Sequence, residues 1–247
     1  MKKIEPIKEL RKICQPEYMQ VRTNLYYRIY RRFFRLFSIY ITKYLLYLNV
    51  SANFISILGL IFGIVGSIYF YFGKFLIGGI IMQLWFLMDT LDGELARYYY
   101  NKGKEKNYLT KGDYLDFNSH HLVHSLVFIG MSLGLYNLNK DIKMIYFGIA
   151  VLFALLLNEL IDLNRIKVLF YKNANNRIKL KADKIKEERS FLKKFMVIYT
   201  FPTIINIFLI ASIFNFVDYI LIFYGITFPI LVLIKFVINN FIRKIVE

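Results

Sequence analysis

Two stretches of the chain, Tyr44 to Gly73 and Phe195 to Val217, contain no Lys, Arg, Asp or Glu. Runs of that length meet the requirement of about 20 predominantly apolar residues for a helix that crosses a bilayer. Composition repeats the signal: 57% of the 247 residues are hydrophobic, where a soluble domain is about 45–50% apolar even with glycine counted and tyrosine left out. A secreted disulfide scaffold, a disordered chain and an ordinary cytosolic enzyme are excluded. The expected fold class is an all-α integral membrane protein.

Net charge is +16, from 33 Lys and Arg against 17 Asp and Glu. In a soluble protein this excess would suggest nucleic acid, but the cations here flank the apolar runs, where they meet anionic headgroups and set orientation. No nucleic-acid partner is expected; the lipid bilayer is. The single cysteine, Cys14, forbids an intrachain disulfide or a cysteine metal cluster. The N-terminal MKKIEPIKELRKICQPEY has basic residues without an apolar core behind them, so targeting is expected to fall to the first spanning segment.

Residues 1–20 read as a polar, poorly ordered N-terminal segment. Residues 22–48 read as an interfacial amphipathic helix, because Arg28, Arg31, Arg32 and Arg35 recur at helical spacing among Phe33, Phe34, Phe37, Ile41 and Leu45. A six-helix transmembrane domain follows over 54–242, with spans expected near 54–73, 76–98, 114–136, 144–165, 195–215 and 219–242. Pro202 and Pro229 are expected to bend the last two spans. The segment 171–194 carries nine basic and three acidic residues and is expected on the cytoplasmic side as a helical extension or charged linker. With both termini on that side, only Lys74, Lys140 and Lys143 fall opposite and Lys235 lies inside the last span, so the remaining 29 of the 33 cations share a face. By the positive-inside rule that face is the cytoplasm.

The second span carries the chemistry. Only 14 uncharged residues separate Lys74 from Asp89, too few to cross, so the helix must continue through MDTLDGELARYYY and hold Asp89 and Asp92 at membrane depth. Carboxylates there are costly without a polar cavity or a cation, and mark function. At about 100° per residue Asp89, Asp92, Gly93 and Ala96 share a face, and so, in KGDYLDFNSHHLVH at the head of the third span, do Asp113, Asp116, His120 and His124. Bringing the two faces together gathers acids that call for hard divalent cations. His121 lies about 100° off the shared face and reads as a packed or interfacial histidine. Trp85 reads as span packing. Asn158, Asp162 and Arg165 share one side of the fourth span and are candidates for a pocket.

Asp89-Thr-Leu-Asp92-Gly93-Glu-Leu-Ala96-Arg97, followed by Gly112-Asp-Tyr-Leu-Asp116-Phe-Asn-Ser-His120, resembles the signature of the CDP-alcohol phosphatidyltransferases. Ala52-Asn53-Phe54-Ile55-Ser56 is a weaker echo of the family's Pro-Asn-x-x-Thr at the start of the first span. Two departures stand out: the spacer between Arg97 and Gly112 is longer than usual, and the last Asp of the signature, the family's proposed general base, is His120. An imidazole can also take a proton or ligate a metal, and Asp113 could restore the lost charge.

The resemblance implies a membrane transferase. A CDP-activated lipid or alcohol, CDP-diacylglycerol first, would pass its substituted phosphate to the hydroxyl of an acceptor, possibly phosphorylated, releasing CMP. Two Mg²⁺ or Mn²⁺ ions would be held by Asp89, Asp92, Asp113, Asp116 and His120, and His120 would be the general base. Asn53, Ser56, Gly93, Ala96, Arg97 and Gly112 would bind the nucleotide. The protein would sit in the cytoplasmic membrane as a homodimer, its site facing the cytoplasm. The rival readings are a divalent-cation transporter using the same Asp and His and an inactive relative kept as a scaffold. Small residues and a forked cation one turn from the carboxylates suit a diphosphate better than an ion path.

Overall fold

The computed structural model describes residues 4–16, 25–103, 108–176 and 196–242; for 25–31, 108–113, 117, 165–166, 169–176 and 242 it describes the backbone alone. Every element among the described residues is helical: α1 (Ile7–Cys14), α2 (Leu25–Tyr47), α3 (Ala52–Tyr71), α4 (Phe75–Asn101), α5 (Tyr108–Asn139), α6 (Lys143–Asn176), α7 (Phe201–Ile213) and α8 (Val217–Val237), with a π-helical turn at Ile238–Ile242. Five stretches, in α3, α4, α5, α6 and α8, are long and apolar enough to cross a membrane.

The expected fifth span is the exception. Over 196–200 the chain makes turns, and α7 has 13 residues, about 20 Å at 1.5 Å per residue against a hydrocarbon core of about 30 Å. Pro202 stands in its first turn, where a missing N–H costs nothing, so it opens this helix and does not bend it. Pro229 does lie inside α8. The charged segment continues α6 as far as Asn176, and 177–195 lie outside the described residues.

Local chemistry explains the joints. Ser51 caps α3 by accepting a hydrogen bond from the Phe54 N–H (3.3 Å). Gly73 sits at φ +73° between α3 and α4, a left-handed conformation that a side chain disfavours. Next to it α3 and α5 approach closely: a Cβ on Gly134 would lie 2.0 Å from the Phe70 carbonyl oxygen. That approach brings α5 against α3, and α3 packs in turn on α4. α6 packs on α5 and α8, completing the bundle around Phe70, Met82, Phe128, Phe208, Tyr224 and Phe228.

The N-terminal segment differs from expectation. It contains α1, whose Leu10 and Cys14 are fully buried against α2 and α4. Arg11 donates to the carbonyls of Arg35 (3.2 Å) and Leu36 (3.1 Å). α2 turns Ser38, Ile39, Thr42 and Leu46 inward and leaves Phe33, Phe37, Tyr40 and Tyr44 exposed. The clasp that joins all three helices is Glu94 of α4, fully buried. Its Oε1 accepts from Gln15 Nε2 (2.7 Å) and Ser38 Oγ (2.6 Å), and its Oε2 from Thr42 Oγ1 (2.6 Å). Glu5 adds contacts to Lys102 and Tyr98, and the Lys102 ammonium holds its carboxyl below the usual range.

Burial pushes the Cys14 thiol up to about 12, which leaves roughly one part in 10⁴ as reactive thiolate at pH 8. In membranes at that pH, Cys14 should resist a maleimide, and Glu94→Ala should raise its labelling rate at least tenfold by releasing α1. Equal rates in the two proteins would show that Glu94 does not hold α1 in place.

Candidate active site

The second and third expected spans do bring their acids together. Asp89, about two turns past Met82 on α4, meets α5 where Asp116 and His120 stand one turn apart. His120 Nε2 lies 3.0 Å from Asp89 Oδ1 and 3.2 Å from Asp116 Oδ1. These three side chains place ligand atoms within 4.8 Å of one another, a spacing that one divalent cation can gather. Carboxylate oxygens with one imidazole suit Mg²⁺ or Mn²⁺, so the donor set fits the expected ions.

Asp92 is turned to another neighbour. It is buried, at 8% exposure, and Oδ2 accepts from Ser56 Oγ at 2.7 Å. Ser56, expected near the nucleotide, is thus brought to the acidic face by α3. Asn53 is exposed in the first turn of α3. Gly112 lies inside α5, since that helix begins at Tyr108. The side chain of Asp113 is outside the described residues.

Ala96 and Arg97, both expected at the nucleotide, also have contacts of their own in this structure. Ala96 is fully buried in the apolar cluster formed with α1 and α2. Arg97 donates from Nε to the Cys14 carbonyl, and a Cβ on Gly93 would meet its Nη1 at 3.0 Å. The arginine therefore ties α1 to α4 over the glycine. In this arrangement its Nε is engaged by α1, while its Nη atoms lie over Gly93.

Beyond His120 the wall is aromatic. The Trp85 ring centroid lies 5.1 Å from His120 and 6.0 Å from His124, and Phe201 at the start of α7 stands 3.6 Å from His124. Trp85 is packing, as expected, but the packing is against the candidate base. His124 faces this wall and Glu159, and His121 pairs with Glu159 as well. Asn158 and Asp162 both receive hydrogen bonds from Lys235 Nζ at 2.7 Å, joining α6 to α8; the Arg165 side chain is outside the described residues. Glu94 and Glu159 were not singled out from the sequence. Glu94 occupies a variable place in the signature, which gives no hint of its three donors. Glu159 had a signal: it is the first charge after Lys143 in an apolar run, an acid at membrane depth.

The sequence matches no family model and no curated protein. The fold does find a likeness in the crystal structure of Mycobacterium tuberculosis phosphatidylinositol phosphate synthase with CDP-DAG bound. The TM-score is 0.59 at 17% identity, over 81% of this chain and 92% of that one. Identity that low speaks for a shared helical architecture.

The bond from Ser56 to the buried Asp92 carboxylate generates a test. A hydrogen bond to a charged group contributes about 1.5–3 kcal/mol, so Ser56→Ala should lower the melting temperature of the purified protein, while Ser56→Thr should restore it. An unchanged melting curve for Ser56→Ala would show that this bond does not support the fold.

Proposed function

We propose that this protein is a membrane-embedded CDP-alcohol phosphatidyltransferase. The observation that carries the reading is the convergence of Asp89, Asp116 and His120 from two helices, in a fold like that of a synthase that binds CDP-DAG. On this reading an acceptor hydroxyl attacks the phosphorus that bears the lipid, the bond from that phosphorus to CMP breaks, and CMP leaves. The donor is CDP-diacylglycerol or another CDP-alcohol; the acceptor is a small, possibly phosphorylated alcohol.

Asp89, Asp92 and Asp116, with Asp113 one turn before Asp116, would hold two Mg²⁺ or Mn²⁺ ions. Such ions would neutralise the diphosphate and the charge that builds on the departing CMP. His120 Nε2 stands at donor distance from two carboxylates. Carboxylates so placed fix the tautomer with the proton on Nε2 and leave Nδ1 to accept the hydroxyl proton. A metal on Nε2 would put the ring's hydrogen on Nδ1 and forbid that role, so the base assignment gives the ions to the carboxylates. Ser56 and Gly93 would border the nucleotide.

The wider setting belongs to the same reading. α2, with buried polar groups on one side and exposed aromatics on the other, is proposed to lie in the cytoplasmic interface. α7 and the segment before it would make the sixth crossing, and the termini and site would face the cytoplasm. The membrane would be the cytoplasmic one, and the protein a homodimer.

Purified protein in mixed micelles with CDP-diacylglycerol should release CMP when offered serine, ethanolamine, glycerol phosphate or inositol phosphate singly, and the product lipid's mass would name the acceptor. A chelator, Asp89→Asn, Asp92→Asn or Asp116→Asn should lower CMP release at least 100-fold. His120→Ala should do nearly the same, and His120→Asp should retain activity. Full activity in any Asp→Asn variant at saturating metal would remove that residue from the site. CMP release by none of these acceptors, nor by a water-soluble metabolite extract, would overturn the reading.

A further inference from the structure

α5 carries three histidines within five residues, and their azimuths decide which of them can reach the acids of α4. Taking about 100° per residue, His124 lies about 40° and His121 about 100° from His120 around the helix. A rotation of α5 by that smaller angle would turn His124, one turn further along the helix, to the azimuth of His120. The rotation must therefore be fixed: the close approach of Gly130 and Gly134 to α3 restrains it on one side, and α6 can restrain it on another.

Glu159 of α6 occupies that side. Its Oε2 lies 2.6 Å from His121 Nδ1, and its Oε1 lies 3.3 Å from His124 Nδ1. Each carboxylate oxygen thus faces one of the two imidazoles that lie to one side of His120 in azimuth. The glutamate side chain is 25% exposed, that of His124 10% and that of His121 40%, so it is the His124 contact that is shielded from water. Phe201 covers His124 from α7, and Trp85 closes the wall between His124 and His120.

We infer that Glu159 is a positioning residue for the reaction: by holding His121 and His124 from α6, it sets the rotation of α5 that aims His120 at Asp89 and Asp116. It touches neither the acids of α4 nor the reacting atoms. The inference rests on the proposed function for its kinetic consequence, but its structural consequence stands apart. Trp85 is the chain's one tryptophan, and its ring lies against both His120 and His124. Imidazoles quench indole emission on contact, so Trp85 reports where these rings are.

The test has two arms, in Glu159→Ala and the conservative Glu159→Gln, each first checked by melting temperature to be folded. In the emission arm, Glu159→Ala should change Trp85 intensity at least 1.5-fold, Glu159→Gln less, and Glu159→Ala should add nothing in a His120→Ala, His124→Ala background. In the kinetic arm, with CMP release from CDP-diacylglycerol, Glu159→Ala should lower kcat at least tenfold and leave KM for the donor within twofold. It should cause no further loss in a His120→Ala background, since coupled residues are not additive. Unchanged emission in folded Glu159→Ala would overturn the inference, and so would a kcat within twofold or losses that simply multiply. If the wild type releases no CMP, the proposed function fails while the emission arm still decides the role of Glu159.

Discussion

A carboxylate inside a bilayer must be matched by a partner, and α4 carries three of them, Asp89, Asp92 and Glu94, within six residues. Each is matched by a different element. Asp89 meets His120 of α5, Asp92 takes the hydroxyl of Ser56 on α3, and Glu94 receives three donors from α2 and the end of α1. The helix therefore acts as an axle: the bundle is assembled around its acids, and the loss of any one partner leaves a buried charge short of its donors. Leaving such a group unsatisfied costs about 1–3 kcal/mol or more.

This division of labour separates structure from chemistry along one helix. Glu94 and Arg97 bind the N-terminal helices, and Ala96 packs beneath them. Asp89 and Asp92 face the other way, toward α5 and α3. Close packing of glycines against backbone in α3 and α5 permits this, because the acids of α4 and α5 meet across a gap set by how near the helices lie. Lys235 of α8, held by Asn158 and Asp162, closes the far side in the same manner, with a membrane charge that is never left alone.

Much of this was legible in the sequence. Uncharged runs located the apolar helices because length against bilayer thickness is a hard limit. Asp89, Asp116 and His120 could be placed together because helical spacing puts each set on a face and hairpin partners are adjacent. What failed was whatever depended on chain outside those faces. The bond from Arg97 to the Cys14 carbonyl was not legible because the docking of α1 leaves no periodic trace in eight residues. The polarity of the N-terminal segment concealed that Leu10 and Cys14 are buried. The span around Phe201 read longer than its helix because hydropathy does not register the turns over 196–200.

On the proposed function, the acids of α4 and α5 form a seat for divalent cations. Electron paramagnetic resonance of Mn²⁺ titrated into the purified protein tests it without reference to any substrate. The account predicts bound Mn²⁺ in the wild type, displaced by excess Mg²⁺, with affinity reduced at least tenfold in Asp89→Asn and in Asp116→Asn. The same amount of Mn²⁺ bound at the same affinity in the wild type and both variants would contradict it.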